Sequence, residues 1–377
     1  MPTSMTVSER RQAAPRGRRI APPVLVRQVR NGIEESVHRG DVVEVDGHGR
    51  ILRAIGDPDA VATLRSAVKP FGLIALLEAG GEREFALEPA ELALMTSSHS
   101  GEDLHVRTLL SLFRRTGLSQ SQLGTGAMAP LDELTAARLA RDGERPGQIR
   151  HMCSGQHSSF LLLCKLAGWK PDEYWQPDHP AMQAFASAVA RAFRTTPSRL
   201  RAGTDACGIP TYAFPLREIA WAYVALADPG SLAADDPRRA LAPHYETIRG
   251  AMLAHPEMVA GTHNRLDTSL MKAMPGRIVA KGGAEALRTA GVLPGPRGSG
   301  QSVAATGMAL KIEDGDGHDR ADSAAFVEAL RQAGVVDGQA LRVLARYHRP
   351  VSLDPRGRVA AEAIASFELA PMGELIG

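Results

Sequence analysis

The sequence predicts an α+β fold in which an antiparallel sheet is flanked by helices. Three observations predict it. Strand-like runs stand at both ends of the chain, segments with helical spacing fill the middle, and no repeat or long linker divides them. The terminal strands are expected to pair into one sheet within a single domain over residues 21–377. Residues 1–20 are rich in Ser, Arg, Pro and Ala and read as a disordered basic tail.

The elements follow in order. Residues 24–29 read as a strand. Residues 36–45 and 51–55, joined by the turn Asp46-Gly47-His48-Gly49, read as an antiparallel hairpin. Residues 65–79 read as a helix. Pro70 is compatible with it only in the first turn, which sets Ser66 at or just before the helix start, near the positive end of the dipole. Helical spacing recurs over residues 89–96, 102–116, 131–142, 158–167, 182–192, 219–227 and 237–255, with a loop at residues 205–210. Strand character returns over residues 304–312 and 358–365.

Composition narrows the function. A net charge of +2 argues against a dedicated nucleic-acid binder, because much of the basic excess is Arg10, Arg11, Arg16, Arg18 and Arg19 of the tail. No apolar run is long enough to span a bilayer. The first residues lack the apolar core of a secretory signal, so the expected location is cytoplasmic. The odd count of three cysteines, Cys153, Cys164 and Cys207, points to free thiols or metal ligands rather than a disulfide framework.

The chemistry-bearing motif is Ser66-Ala67-Val68-Lys69. A serine hydroxyl attacks poorly until its proton is removed, and a lysine three residues on along a helix lies on the same face. Taken alone, Ser66 reads as a helix N-cap and Lys69 and Lys281 as solvated charges. Ser98, His99 and Ser100 read as turn hydrogen-bonders. Cys153 and Cys207 have no metal-site spacing and read as small buried residues, and Cys164, in an apolar run, as core. Gly282-Gly283 reads as a turn, since the rest of a phosphate-binding loop is missing.

Read together, eight segments change these readings. In order they are Glu35-Ser36-Val37-His38-Arg39-Gly40, Gly56-Asp57-Pro58, Arg65 to Phe71, Ser97-Ser98-His99-Ser100-Gly101-Glu102, Cys153-Ser154-Gly155-Gln156-His157, Thr204 to Pro210, His255 to Thr262, and Val279-Ala280-Lys281-Gly282-Gly283-Ala284-Glu285. From about residue 24 to its end the chain thereby resembles the asparaginase II family, the rhizobial-type or class 3 L-asparaginases.

The resemblance implies a fold similar to serine β-lactamases and glutaminases. It also implies a homodimer that hydrolyses the side-chain amide of L-asparagine to aspartate and ammonia. It implies two Ser–Lys pairs, Ser66 with Lys69 and Ser98 with Lys281, and a zinc ion bound by two cysteines, a lysine and water. The cysteines map to Cys153 and Cys207, but the lysine position holds Gln156, a weak neutral ligand. Asp205, His99 and Arg39 are the candidate substrate-binding residues. No organic cofactor is implied.

On this reading Ser66 attacks the amide carbon and forms an acyl-enzyme, Lys69 takes its proton, and Ser98 and Lys281 relay protons. Neighbouring lysines depress each other's pKa and make a neutral amine available. Ser66 is the preferred nucleophile, with Ser98 the alternative. Gln156 and the segment Thr262-His263-Asn264-Arg265 depart from the family pattern and leave two other readings open. One is acyl transfer or a tailoring hydrolysis on another substrate; the other is a non-catalytic binding homologue.

Overall fold

The computed structural model describes residues 21–298, 300–317 and 319–371, and the basic tail expected over residues 1–20 lies outside them. The predicted hairpin is present. Val24–Arg30, Ile33–Asp46 and Ile51–Ile55 are consecutive antiparallel strands. The first turn is Asn31-Gly32, and both residues take positive φ, 48° and 83°. That is the backbone a two-residue hairpin turn requires, and Asn-Gly supplies it with little strain.

Seven strands lie side by side in the order Val351–Leu353, Val359–Ala365, Val24–Arg30, Ile33–Asp46, Thr306–Ile312, Leu287–Val292 and Ile278–Ala280. Every neighbouring pair is antiparallel. The two ends of the chain meet in one sheet, as the sequence predicts, so the fold is α+β. The long strand Ile33–Asp46 changes partners at Gly40. Its pairing with the first strand ends at Arg39, and its pairing with Thr306–Ile312 begins at Gly40. A Cβ at Gly40 would lie 2.3 Å from the Lys311 carbonyl oxygen, so only glycine lets the strands approach this closely.

Alternation along these strands separates two apolar cores. Val43, Val45, Val279 and Ala309 face the larger one, built by the helices Lys69–Glu78, Ser154–Ala167, Leu216–Ala227 and Ala242–Ala254. Val42, Ile278, Ala280, Met308 and Leu310 face the other, covered by the helix Ala321–Gln332. The sequence does not announce that last helix. Residues 321–330 are all buried, and a helix buried all round has no polar stripe to reveal its period.

The helices Pro89–Met95, Asp103–Thr116, Glu133–Arg141 and Pro180–Ala192 stand where helical spacing places them. Three segments depart in detail. Residues 65–79 divide into a single 3₁₀ turn, Arg65–Val68, and the α-helix Lys69–Glu78 with Pro70 in its first turn. Residues 237–255 open as a 3₁₀ segment, Pro237–Leu241, because Pro243 has no N–H to continue one helix through that point. The helix predicted from Ser158 begins four residues earlier, at Ser154, and its polar first turn is wholly buried. A small three-stranded sheet, Val61–Thr63, Pro210–Pro215 and Arg201–Thr204, supports the 3₁₀ turn from outside.

The helix Leu216–Ala227 lies almost in contact with the sheet backbone. Cβ atoms at Gly307 and Gly291 would fall 1.9 Å and 2.2 Å from the carbonyl oxygens of Ala220 and Tyr223. Gly307→Ala must therefore push the helix off the sheet, and overpacking of this kind costs about 1–3 kcal/mol. Denaturant titration should show a lower midpoint for Gly307→Ala and a slightly higher one for Gly250→Ala, a helix position where the added Cβ meets nothing.

Candidate active site

Ser66 sits in the 3₁₀ turn just ahead of the Lys69–Glu78 helix, as the sequence places it. The residue before it, Arg65, has φ +46°, a region unfavourable for a side chain with a Cβ. Two bonds hold that conformation. The Arg65 N–H donates to Thr211 Oγ1 at 2.9 Å, and its Nε donates to Asp205 Oδ1 at 2.8 Å. Asp205 is thus the anchor of Arg65. It does not line the cavity at Ser66, and it acts on that serine only through its neighbour.

Ser98 lies in the loop between the helices Pro89–Met95 and Asp103–Thr116, with its N–H on the Val259 carbonyl at 3.0 Å. Its hydroxyl receives both lysines. Lys69 Nζ lies 3.2 Å from Ser98 Oγ, and Lys281 Nζ lies 3.1 Å from it. Both lysines are buried. Lys69 also donates to the Ser97 carbonyl at 2.6 Å and to Cys153 Sγ at 3.2 Å, so the three donors of an ammonium meet three acceptors.

This differs from the expected pairing. The Ser98–Lys281 bond is present, but among the described residues Lys69 bonds Ser98 rather than Ser66. A buried lysine settles where all its donors are satisfied, and Ser66 offers one acceptor against three. Ser66 Oγ stays half-buried and without a hydrogen bond among the described residues, in the same cavity as Ser98 and Lys281. Tyr223 Oη joins the two walls, donating to the Ala67 carbonyl at 2.8 Å and lying 3.5 Å from that of Lys281.

Lys281 follows the strand Ile278–Ala280 and also donates to the Gly282 carbonyl at 2.7 Å. Burial pushes its pKa down to about 7, with Lys69 and Arg265 adding to the effect and Asp267 opposing it. Asp267 lies 3.9 Å from Lys281 Nζ, accepts from the Gly282 N–H at 2.9 Å, and lies 3.6 Å from Arg288. Burial works to raise the Asp267 pKa, but Lys281, Arg288 and the Gly282 N–H outweigh it and keep the carboxylate charged.

The cavity holds about 330 Å³ and is lined by Ser66, Ser98, Lys281, Arg265, Asp267 and Arg288, among others. Sequence reading missed Asp267 and Arg288, which no motif marks. His99 and Arg39, expected at the substrate, do not line it. His99 is fully buried, one ring nitrogen on Ser154 Oγ at 2.8 Å and the other accepting the Gly101 N–H at 3.0 Å. It is a structural histidine of the Ser98 loop, stacked on His105 at 4.8 Å. Arg39 lies on the strand Ile33–Asp46 and donates to the Pro22 carbonyl at 3.0 Å.

Cys153 and Cys207, from the start of the Ser154–Ala167 helix and the turn at 205–208, are in contact. The Cys207 thiol donates to Cys153, and Lys69 and His151 add to this, holding Cys153 well below the usual thiol range; its partner is pushed up. Cys164 is core, as predicted.

Beside the thiols stands a set of unmet polar groups. Gln156 is 2% exposed, and neither its Oε1 nor its Nε2 has a partner within the described residues. The adjacent His157 bonds Tyr174 Oη through Nδ1 at 2.6 Å and leaves Nε2 unpaired. Its pKa is lowered to about 3 by burial. Such orphans are rare in a protein interior. Two cysteine sulfurs, with an unpaired amide oxygen one helical turn on, are a donor set that fits a zinc ion with one weak ligand.

A family model described as L-asparaginase II matches residues 26–365. No curated protein matches the chain.

Proposed function

The chain belongs to the L-asparaginase II family, and on that premise we propose that it is a Ser–Lys amidohydrolase acting on the side-chain amide of L-asparagine or a related small amide. The observation that carries the reading is the sharing of one hydroxyl, Ser98 Oγ, by Lys69 and Lys281 beside an unbonded Ser66 in one cavity.

Ser66 is the nucleophile. As its Oγ bonds the amide carbon, its proton moves to Ser98 Oγ, and the Ser98 proton moves to neutral Lys281 Nζ. The carbonyl π pair goes to oxygen. Collapse breaks the C–N bond, and the proton returns through Ser98 to the leaving nitrogen as ammonia departs. Water then attacks the ester by the same relay and frees the acid. Lys69 holds Ser98 in place and supplies fixed positive charge. The observations that support Ser66 are its free hydroxyl, its place ahead of a helix and its strained neighbour Arg65.

Cys153, Cys207 and Gln156 would hold the zinc ion that the family resemblance implies. Bound there, zinc would supply Lewis-acid charge next to Lys69. The expected homodimer rests on the resemblance and the expected cytoplasmic location on the sequence reading. No helix among the described residues is long and apolar enough to cross a membrane.

The direct test is to quench the enzyme during turnover and map the acylated residue by mass spectrometry. The adduct should lie on Ser66 and vanish in Ser66→Ala. An adduct on Ser98 would reverse the two serine roles, and a full panel of amides giving no ammonia would sink the reading.

The pH dependence follows from Lys281. The relay needs its neutral form, so kcat/KM should rise as pH passes through about 7 and level off above. Asp267 is the group that raises the Lys281 pKa, so Asp267→Asn should move this limb to lower pH. Lys281→Arg should abolish turnover.

In the presence of a chelator, Gln156→Met should stabilise the protein by about 1–3 kcal/mol, because it removes a buried amide with no partner. Added zinc should raise the Tm of the wild type more than that of Gln156→Met, read by thermal denaturation.

A further inference from the structure

Three side chains converge outside the cavity of the serines, and none of them lines it. Glu102 precedes the helix Asp103–Thr116, Asp132 precedes the helix Glu133–Arg141, and His263 lies in the segment that leads to Arg265. One ligand atom from each falls within 4.8 Å of the other two. His263 Nδ1 lies 3.3 Å from Asp132 Oδ1 and 3.9 Å from Glu102 Oε2.

Charge at this point is not balanced. Glu102 and Asp132 are 6% and 7% exposed, and no lysine or arginine forms an ion pair with either among the described residues. Other bonds only orient them. The Thr262 N–H donates to Glu102 Oε1 at 2.8 Å and the Thr262 hydroxyl to Oε2, while the Thr135 N–H and hydroxyl donate to Asp132 Oδ2 at 2.8 Å and 2.6 Å. Among the described residues, Asp132 Oδ1 meets His263 Nδ1 alone. Buried carboxylates are ordinarily paired with a cation or bound to a metal. The exposed His263 ring is not a fixed cation, because an imidazole is charged only when protonated.

We propose that Glu102, Asp132 and His263 bind a divalent first-row transition-metal ion, at a site separate from the two cysteines. Two carboxylate oxygens and an imidazole nitrogen, with no sulfur, suit an ion of the manganese-to-zinc range rather than a soft one. Adjacent ligand atoms about 2.1 Å from one ion stand about 3.0–3.5 Å apart. The 3.3 Å pair already has that spacing, and a small rotation of the exposed ring brings Glu102 into it. The ion ties the starts of two helices to the segment 262–265, whose Arg265 donates to the Ser98 carbonyl at 2.9 Å. It thus braces the Ser98 loop from outside the cavity. The inference does not depend on the amidohydrolase reading.

The test is a titration of the full chain, freed of metal by a chelator, with Mn²⁺ at a pH above the ordinary imidazole range, free Mn²⁺ being read from its electron paramagnetic resonance signal. Mn²⁺ prefers oxygen and imidazole to thiolate, so it leaves the cysteines aside. The wild type should bind it with a Kd below about 1 mM. His263→Ala and Asp132→Asn should each weaken it by at least about 10- to 100-fold, the loss that even an outer partner of a ligand brings. Saturating Mn²⁺ should raise the Tm of the wild type and leave that of His263→Ala where it is. Asp132 caps a helix, so its variant can disturb folding; His263 is exposed, and its variant decides the matter. Mn²⁺ bound equally by the wild type and His263→Ala, or not bound at about 1 mM, would overturn the site.

Discussion

Two amines buried on one hydroxyl are the constraint around which the rest of this structure is arranged. Neither lysine has solvent, so each must find acceptors or lose its proton. Lys69 is surrounded by the Ser97 carbonyl, Ser98 Oγ and Cys153 Sγ, while Lys281 has fewer acceptors and a pKa lowered to about 7. Much of the local architecture meets the needs of this pair. The Ser97 carbonyl, the Cys153–Cys207 contact and the Asp267 carboxylate each supply negative potential where an amine is buried.

The same logic links the thiols to the serines. Cys153 touches Lys69, and Lys69 touches Ser98, so any change in charge at the sulfurs is felt at the hydroxyl one contact away. Gln156 stands at the edge of this chain of contacts as a neutral, unpaired amide. A protonated lysine in its place would add another cation beside Lys69. The neutral side chain thus lessens repulsion among the amines even as it weakens the donor set for a metal.

The sheet, the hairpin and most of the middle helices were legible because period and turn chemistry are local: the strand-like runs at 36–45 and 51–55 and the turn Asp46-Gly47-His48-Gly49 carry their own signal. The helix at 321–332 was not, because full burial erases the period. The expected bond between Ser98 and Lys281 is present, but the bond of Lys69 to Ser98 in place of Ser66 was not legible. The partner of a buried lysine is set by which acceptors the tertiary fold delivers, and the Ser97 carbonyl and the Cys153 sulfur leave no trace in a spacing pattern. For the same reason Arg39 and His99 were misplaced. Each lies in a segment that resembles the family, yet neither lines the cavity: His99 is bonded to Ser154, and Arg39 reaches the Pro22 carbonyl.

The order of the strands has one more consequence. Thr306–Ile312, from late in the chain, lies between Ile33–Asp46 and Leu287–Val292, and Ile278–Ala280 hangs beyond it. Lys281 is therefore fixed against the N-terminal half only after that late strand has inserted. A chain emerging from the ribosome carries Ser66, Ser98 and Lys69 long before it can seat Lys281. The contact of Lys281 with Ser98 is therefore completed only when nearly the whole sequence has been made.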